Sequence, residues 1–116
     1  MRLRQVVLAA RELDAALARV CGVLGADPAT GFRDPDVAFF GLRNAVLPIG
    51  DTFLEIVSPT RDDAPAARHL AKAGGDGGYM VMLQSDDLDA DMARAAALGI
   101  RVVWSGDYPD IRGRHL

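Results

Sequence analysis

One cysteine, one lysine, two histidines and two glutamates are all that these 116 residues hold of those types. A single thiol, Cys21, cannot close an internal disulfide. This excludes a disulfide-stapled scaffold and suits a reducing compartment, so the expected location is the cytoplasm. His69 and His115 stand apart from any nucleophile, and no Ser/His/Asp or Cys/His grouping emerges. Basic residues do not outnumber acids: 13 Lys+Arg face 16 Asp+Glu, for a net charge of -3. Nucleic acid and anionic membrane surfaces call for a basic face, so neither is expected as a partner. No apolar run approaches the roughly 20 residues of a bilayer crossing, and Met1 to Arg4 lead into a strand-like run rather than a signal-peptide core. Half of the residues are nevertheless hydrophobic, enough to give a chain of this length one domain with its own core. Lysine scarcity beside arginine and alanine abundance reflects codon usage and carries no function. It does draw notice to the two glutamates, Glu12 and Glu55.

What the chain does contain is an internal repeat. Shifted by 75 residues, Gln5–Leu24 falls on Met80–Gly99, with seven identities in 20 positions, among them Val6/Val81, Leu13/Leu88 and Arg19/Arg94. Each copy opens with a short apolar run (Val6, Val7, Leu8; Val81, Met82, Leu83) suited to a buried strand. Acids follow at the place of a helix N-terminus: Glu12 in one copy, Asp86 and Asp87 in the other. Leu13, Leu17, Val20 and Leu24, and then Leu88, Met92 and Ala95, recur at helical spacing, and Gly25 and Gly99 stand where a left-handed stop is expected.

Between the copies the helical period disappears. Strand-like stretches lie weakly near 29–33 and then at Val37–Leu42, Ala45–Ile49 and Thr52–Val57, with Gly50-Asp51 as a hairpin turn. A short helix follows, with Pro65 in its first turn and Gly74 past its end. The glycine-rich stretch at 74–78 lacks the Lys-Ser/Thr of a phosphate loop and reads as a hinge. The expected fold class is therefore α+β, with paired βαβββ modules forming a cupped mixed sheet. Module one spans 1–59, the linker helix 60–78 and a partial module two 79–116, all in one domain. A strand is expected at Ile100–Trp104, but the second copy's last strands would fall beyond Leu116. An incomplete module leaves an open sheet edge, so a truncated chain and a homodimer are expected.

The opening "LRQVVLAARELDAAL", the strand "DTFLEIVSP" and the restart "GDGGYMVMLQSDDLDA" resemble the vicinal oxygen chelate superfamily, which includes glyoxalase I, methylmalonyl-CoA epimerase, extradiol dioxygenases and bleomycin resistance proteins. The resemblance implies a cup that holds a divalent metal (Mn, Zn, Ni or Mg), with ligands from the first and last strand of each module. It puts Gln5 and Glu55 at the first two ligand positions, with Glu55 also as the proton-moving carboxylate. The third position falls on Met80, a poor ligand for those metals, or on Tyr79 after a one-residue shift, and the fourth lies near 130. From the residues alone, Glu55 is an acid between Leu54 and Ile56 in an apolar strand, and burying it requires a metal, a cation, a donor or water. The plainer alternative is a solvent-facing surface acid.

Phe39, Arg43, Trp104 and His115 are candidates for substrate contact. Phe39 and Phe40, if on a strand, point to opposite faces. Arg33, Arg101, Arg112 and Arg114 join Arg43 as possible grips for an anion, each more simply a surface charge. His69 reads as a solvated helix residue and Cys21 as a small core residue. The expected function is binding of a small organic molecule (an oxo acid, a thioester or a drug-like compound) in the cup, with a degenerate metal site. The alternative is a metal-dependent lyase or isomerase of the glyoxalase/epimerase type, completed by residues beyond 116 or by another chain.

Overall fold

The opening apolar alternation forms strand β1 (Arg2–Ala9) in the computed structural model, which describes residues 1–116. Helix α1 (Leu13–Leu24) follows and stops at Gly25, whose φ of 65° a side chain would disfavour. Its buried stripe is Leu13, Leu17 and Cys21, with Val20 packed alongside. Leu24, at the helix end, is exposed. Strands β2 (Leu42–Ile49) and β3 (Thr52–Pro59) make a hairpin through Gly50 and Asp51. Helix α2 (Pro65–Ala73) has proline in its first turn and ends at Gly74, φ 79°. Strand β4 (Gly77–Gln84) then opens the second copy of the repeat.

These strands form one mixed sheet in the order β2-β3-β1-β4, with β1 parallel to β3 and the other pairs antiparallel. The repeat is visible in the register. Val6 pairs with its own repeat mate Val81, while Gln5 meets Met82 and Val7 meets Met80, so equivalent positions exchange across the β1/β4 ladder. One face packs on α1 through Ala10, Leu13, Leu17, Ala45, Leu47 and Ile56. On the other face Val7, Ala9, Leu42 and Val57 pack with Ala66 and Leu70 of α2. Each buried aliphatic side chain of this kind is worth about 1.5–3 kcal/mol relative to exposure.

The expected strand at Val37–Leu42 is not formed. Asp34 accepts the Asp36 N–H, Pro35 takes the first helical position and Gly41 stops the turn at φ 69°, so Pro35–Phe40 is a 3-10 helix and β2 starts only at Leu42. Helix start and stop signals override the β propensity of Val37, Phe39 and Phe40 here. The module's remaining strand is reduced to one bridge, Phe32 to Val46.

The chain divides into two compact units, Met1–Gln84 and Ser85–Leu116. In the second, Asp87 caps helix α3 (Leu88–Ala97) by accepting the Ala90 N–H at 3.0 Å. Ala95 is its buried residue, and Leu88 and Met92 are half-buried. The expected strand at Ile100–Trp104 lies further on: Ile100, Val102 and Val103 are exposed and irregular, and β5 (Trp104–Asp107) pairs with β6 (Arg112–His115) as a hairpin. The second copy thus has the order βαββ, two strands of its own after the helix. No helix is long and apolar enough to cross a membrane.

Two outcomes follow from this packing. Ile56→Ala, at a side chain with 0% exposure, should cost about 2–5 kcal/mol in denaturant unfolding. Val23→Ala, at 86% exposure, should stay within about 0.5 kcal/mol. In the second unit the Trp104 ring lies over Gly106, where an added Cβ would collide with the indole. Gly106→Ala should therefore expel the chain's one tryptophan and shift its fluorescence to the red; an unchanged spectrum would contradict this placement.

Candidate functional site

Strand pleating decides which polar groups meet. Along the ladders, Phe32, Val46, Glu55, Val7 and Met80 are successive cross-strand neighbours and form one row on the face opposite α1. Gln5 lies in the row to one side, between Phe53 and Met82, and Asn44 in the row to the other side, opposite Val57. Both are diagonal neighbours of Glu55. The Gln5 Nε2 donates to Glu55 Oε2 at 2.5 Å, and the Asn44 Nδ2 donates to Glu55 Oε1 at 2.5 Å. Gln5 and Glu55 therefore share a face and touch.

The arrangement is built inward from a turn. The Asp34 backbone N–H donates to Asn44 Oδ1 at 2.9 Å, which fixes the orientation of that amide and leaves its NH2 for Glu55. Arg33 donates to the Asn44 carbonyl at 2.7 Å and reaches Asp14 at 3.2 Å. Val37 and Phe40 of the 3-10 helix, with Ala66 and Leu70, cover the Ala9–Val57 end of the face. At the other end Gln5, Phe53 and Met82 are half-buried and Phe32 is exposed. Glu55, 5% exposed, sits where cover gives way to open surface. Its burial pushes the carboxyl above its ordinary value of 4.5, the amides of Asn44 and Gln5 pull it back, and the charge of Asp34 adds to the rise.

Of the other expected contact residues, Phe39 and Arg43 do not point towards Glu55. Phe39 is 77% exposed on the 3-10 helix, its ring edge-on to Phe40 at 5.1 Å, so it does not point inward from a strand. Arg43 alternates with Asn44 and is exposed on the opposite face of the sheet, that of Ala45 and Ile56, away from Glu55. Trp104 and His115 belong to the second unit, where they pair across the hairpin with rings 4.6 Å apart and burial lowers the His115 pKa below 6.5. His69 is not a free surface group: its Nε2 lies 2.9 Å from the Gly78 carbonyl and its ring 5.0 Å from Tyr79.

Two residues of this face escaped the sequence reading. Asn44 was detectable, as a polar residue inside an apolar strand. Arg4 was not, because it is the extra residue at a register shift in the β1/β4 ladder and breaks the alternation that assigns faces.

A model of the family described as Glyoxalase-like domain matches residues 6–114. The chain belongs to that family. Over 106 residues it is 28% identical to an ethylmalonyl-CoA/methylmalonyl-CoA epimerase of Cereibacter sphaeroides, covering 91% of this chain and 77% of the relative. A solved methylmalonyl-CoA epimerase in complex with methylmalonyl-CoA and NH4+ superposes with a TM-score of 0.72 at 28% identity, over 89% of this chain and 73% of that one. A variant of the Streptomyces coelicolor methylmalonyl-CoA epimerase in complex with 2-nitronate-propionyl-CoA gives 0.76 at 26% identity, over 98% and 81%.

The divalent metal that the superfamily implies can be tested against the donors present. Gln5 and Glu55 are adjacent, but Gln5 presents its NH2 to the carboxylate, and both Glu55 oxygens already accept amide N–H groups. The repeat mate of Gln5 is Met80, a soft thioether, and nowhere do three or more His, Cys, Asp or Glu side chains gather in metal-binding geometry. This donor set does not fit a hard divalent cation.

The raised Glu55 pKa has a signed consequence. The native state keeps this proton to higher pH than the unfolded chain, so ionising Glu55 costs stability as pH rises through its native pKa, and the cost is absent below about 4.5. The unfolding free energy of the wild type minus that of Glu55→Gln should therefore increase as pH falls from 7 towards 4.5, at no more than about 1.4 kcal/mol per pH unit. A difference that is flat or runs the other way, measured in urea, would show that the native carboxyl is not raised.

Proposed function

We propose that this glyoxalase-like domain binds a small acyl compound, with CoA thioesters foremost and oxo acids second, on the face centred on Glu55. Gln5, Glu55 and Asn44 supply the fixed polar groups, and Val7, Phe53, Met80 and Met82 the apolar walls. Sites for small organic molecules combine these two ingredients. One observation carries the proposal: a carboxylate is kept buried at the edge of the covered part of a largely apolar sheet face, without a cation, on two amide donors alone. Core packing gains nothing from it, and a costly buried acid beside open surface is characteristic of sites that handle ligands. The named epimerase relatives favour thioesters over other small molecules. In this proposal the domain works in the cytoplasm, in keeping with the single buried thiol of Cys21, and as a homodimer, in keeping with the open edge of β4.

A second reading is favoured by the pKa of Glu55. A carboxyl held above its ordinary range is a better proton acceptor than a free one, and it could exchange the proton on the carbon beside a thioester carbonyl, as epimerisation requires. Any metal-dependent form of this reaction would draw its remaining donors from another chain or from residues outside 1–116.

Titration with propionyl-CoA in the presence of chelator separates these cases. Saturable binding by calorimetry is expected in chelator, weakened about 10- to 100-fold in Glu55→Ala, which is the loss of one hydrogen bond to a charged group. Absence of binding, or equal affinity in Glu55→Ala, would reject the proposal. Deuterium uptake at the α-carbon of methylmalonyl-CoA in D2O, lost in Glu55→Gln, would establish the second reading over simple binding.

A further inference from the structure

Arginine makes up nearly all of the positive charge of this chain, and most of its guanidinium groups are accounted for. Six pair with aspartates, and Arg68 donates to the Asp63 carbonyl. Of the rest, Arg11, Arg19, Arg43 and Arg101 are exposed. Arg4 differs from all of these. It is half-buried and makes neither an ion pair nor a hydrogen bond, and its guanidinium carbon stands 4.6 Å above the centroid of the Phe53 ring.

The placement has a backbone cause. Leu3 pairs with Leu83 and Gln5 with Met82, so Arg4 is the unpaired extra residue of a bulge. Bulges redirect a side chain that strict alternation would send to the other face. Phe53 lies directly across the parallel ladder from Gln5 and two residues before Glu55, and it shares their face. Arg4 is thereby drawn onto the face that carries the buried carboxylate. The ring below it restricts the guanidinium and covers one side of it from water, leaving its N–H donors unspent. Such a group, oriented in advance and partly desolvated, suits the planar two-oxygen geometry of a carboxylate better than a mobile surface lysine would.

Spacing narrows the ligand class. Two residues along a strand span about 6.6 Å, so an anion on Arg4 lies within a few bonds of groups that reach Glu55. We propose that Arg4, stacked on Phe53, is an anchoring site for the free carboxylate of a short organic acid or acyl thioester whose neighbouring carbon faces Glu55. This rests on the reading that the Glu55 face takes a small acyl compound, and it adds to that reading a requirement for a second, anionic group on the ligand. A monoacyl thioester without a free carboxylate would be held less tightly than its carboxylated counterpart.

Malonate is the simplest probe, with malonamide as its neutral counterpart. The Nε–Hε resonance of Arg4, assigned by its disappearance in Arg4→Lys, should shift saturably with malonate at constant ionic strength and stay in place with malonamide. In Arg4→Gln, malonate affinity should fall about tenfold or more, as expected for a lost bidentate charge pair. Phe53→Leu, which keeps the charge but removes the ring, should give an intermediate loss. If Arg4→Gln does not fold, the wild-type resonance decides alone. A resonance unmoved by malonate, an equal response to malonamide, or malonate binding that survives Arg4→Gln would each overturn the assignment. The propionyl-CoA titration keeps the two proposals apart. Malonate on Arg4 with no binding of propionyl-CoA would sink the thioester reading and leave the anion site standing; the converse would sink the anion site only.

Discussion

A carboxylate placed in the middle of a sheet face is held there by two amides from the neighbouring strands, and the rest of the site is arranged to keep those amides in place. Removing an ionised carboxylate from water costs several kcal/mol, and each hydrogen bond to a charged group returns about 1.5–3 kcal/mol. Two such bonds, from Gln5 and Asn44, come close to the cost without clearly exceeding it. The raised Glu55 pKa is the expression of that near balance. Asn44 turns its NH2 to Glu55 with the Asp34 N–H on its oxygen, and Asp34 itself caps the proline-led 3-10 helix. A turn remote from Glu55 in sequence therefore orients one of the two amides that hold the carboxylate.

The same face shows how a duplicated unit can lose the symmetry of its chemistry while keeping the symmetry of its backbone. Repeat-equivalent residues still exchange across the β1/β4 ladder about the Val6–Val81 pair. The side chains have diverged: Gln5 faces a carboxylate, whereas its mate Met80 is apolar and half-buried. The backbone resemblance to the epimerase structures extends over most of the chain, yet the donors present on this face do not fit a hard divalent cation. What this face does carry is a carboxylate hydrogen-bonded by two amides and flanked by apolar side chains.

Local signals made much of this readable without coordinates. The opening strand and helix of each copy follow from hydrophobic period, and glycine stops at Gly25 and Gly74 end α1 and α2; these signals act over a few residues and need no partner. Glu55 was conspicuous because an acid in an apolar strand violates the pattern that surrounds it. The strand expected at Val37–Leu42 gives way to a 3-10 helix as far as Phe40 because the cap formed by Asp34 and Pro35 outweighs the β propensity of Val37, Phe39 and Phe40, although both signals are local.

Other features exist only through pairing between distant segments. Which face Arg43 occupies, which amides reach Glu55, and whether Phe32 belongs to the sheet are questions of register, and a shift of one residue reverses every answer. Arg4 and Tyr79 are the sharpest cases, since their directions come from bulges that no composition or period announces. The order of residues thus specified the elements and the one anomalous acid, because propensity, capping and periodicity are short-range properties. The company that acid keeps was settled by strand pairing across some 50 residues of chain, where alternation is broken by geometry rather than by residue type.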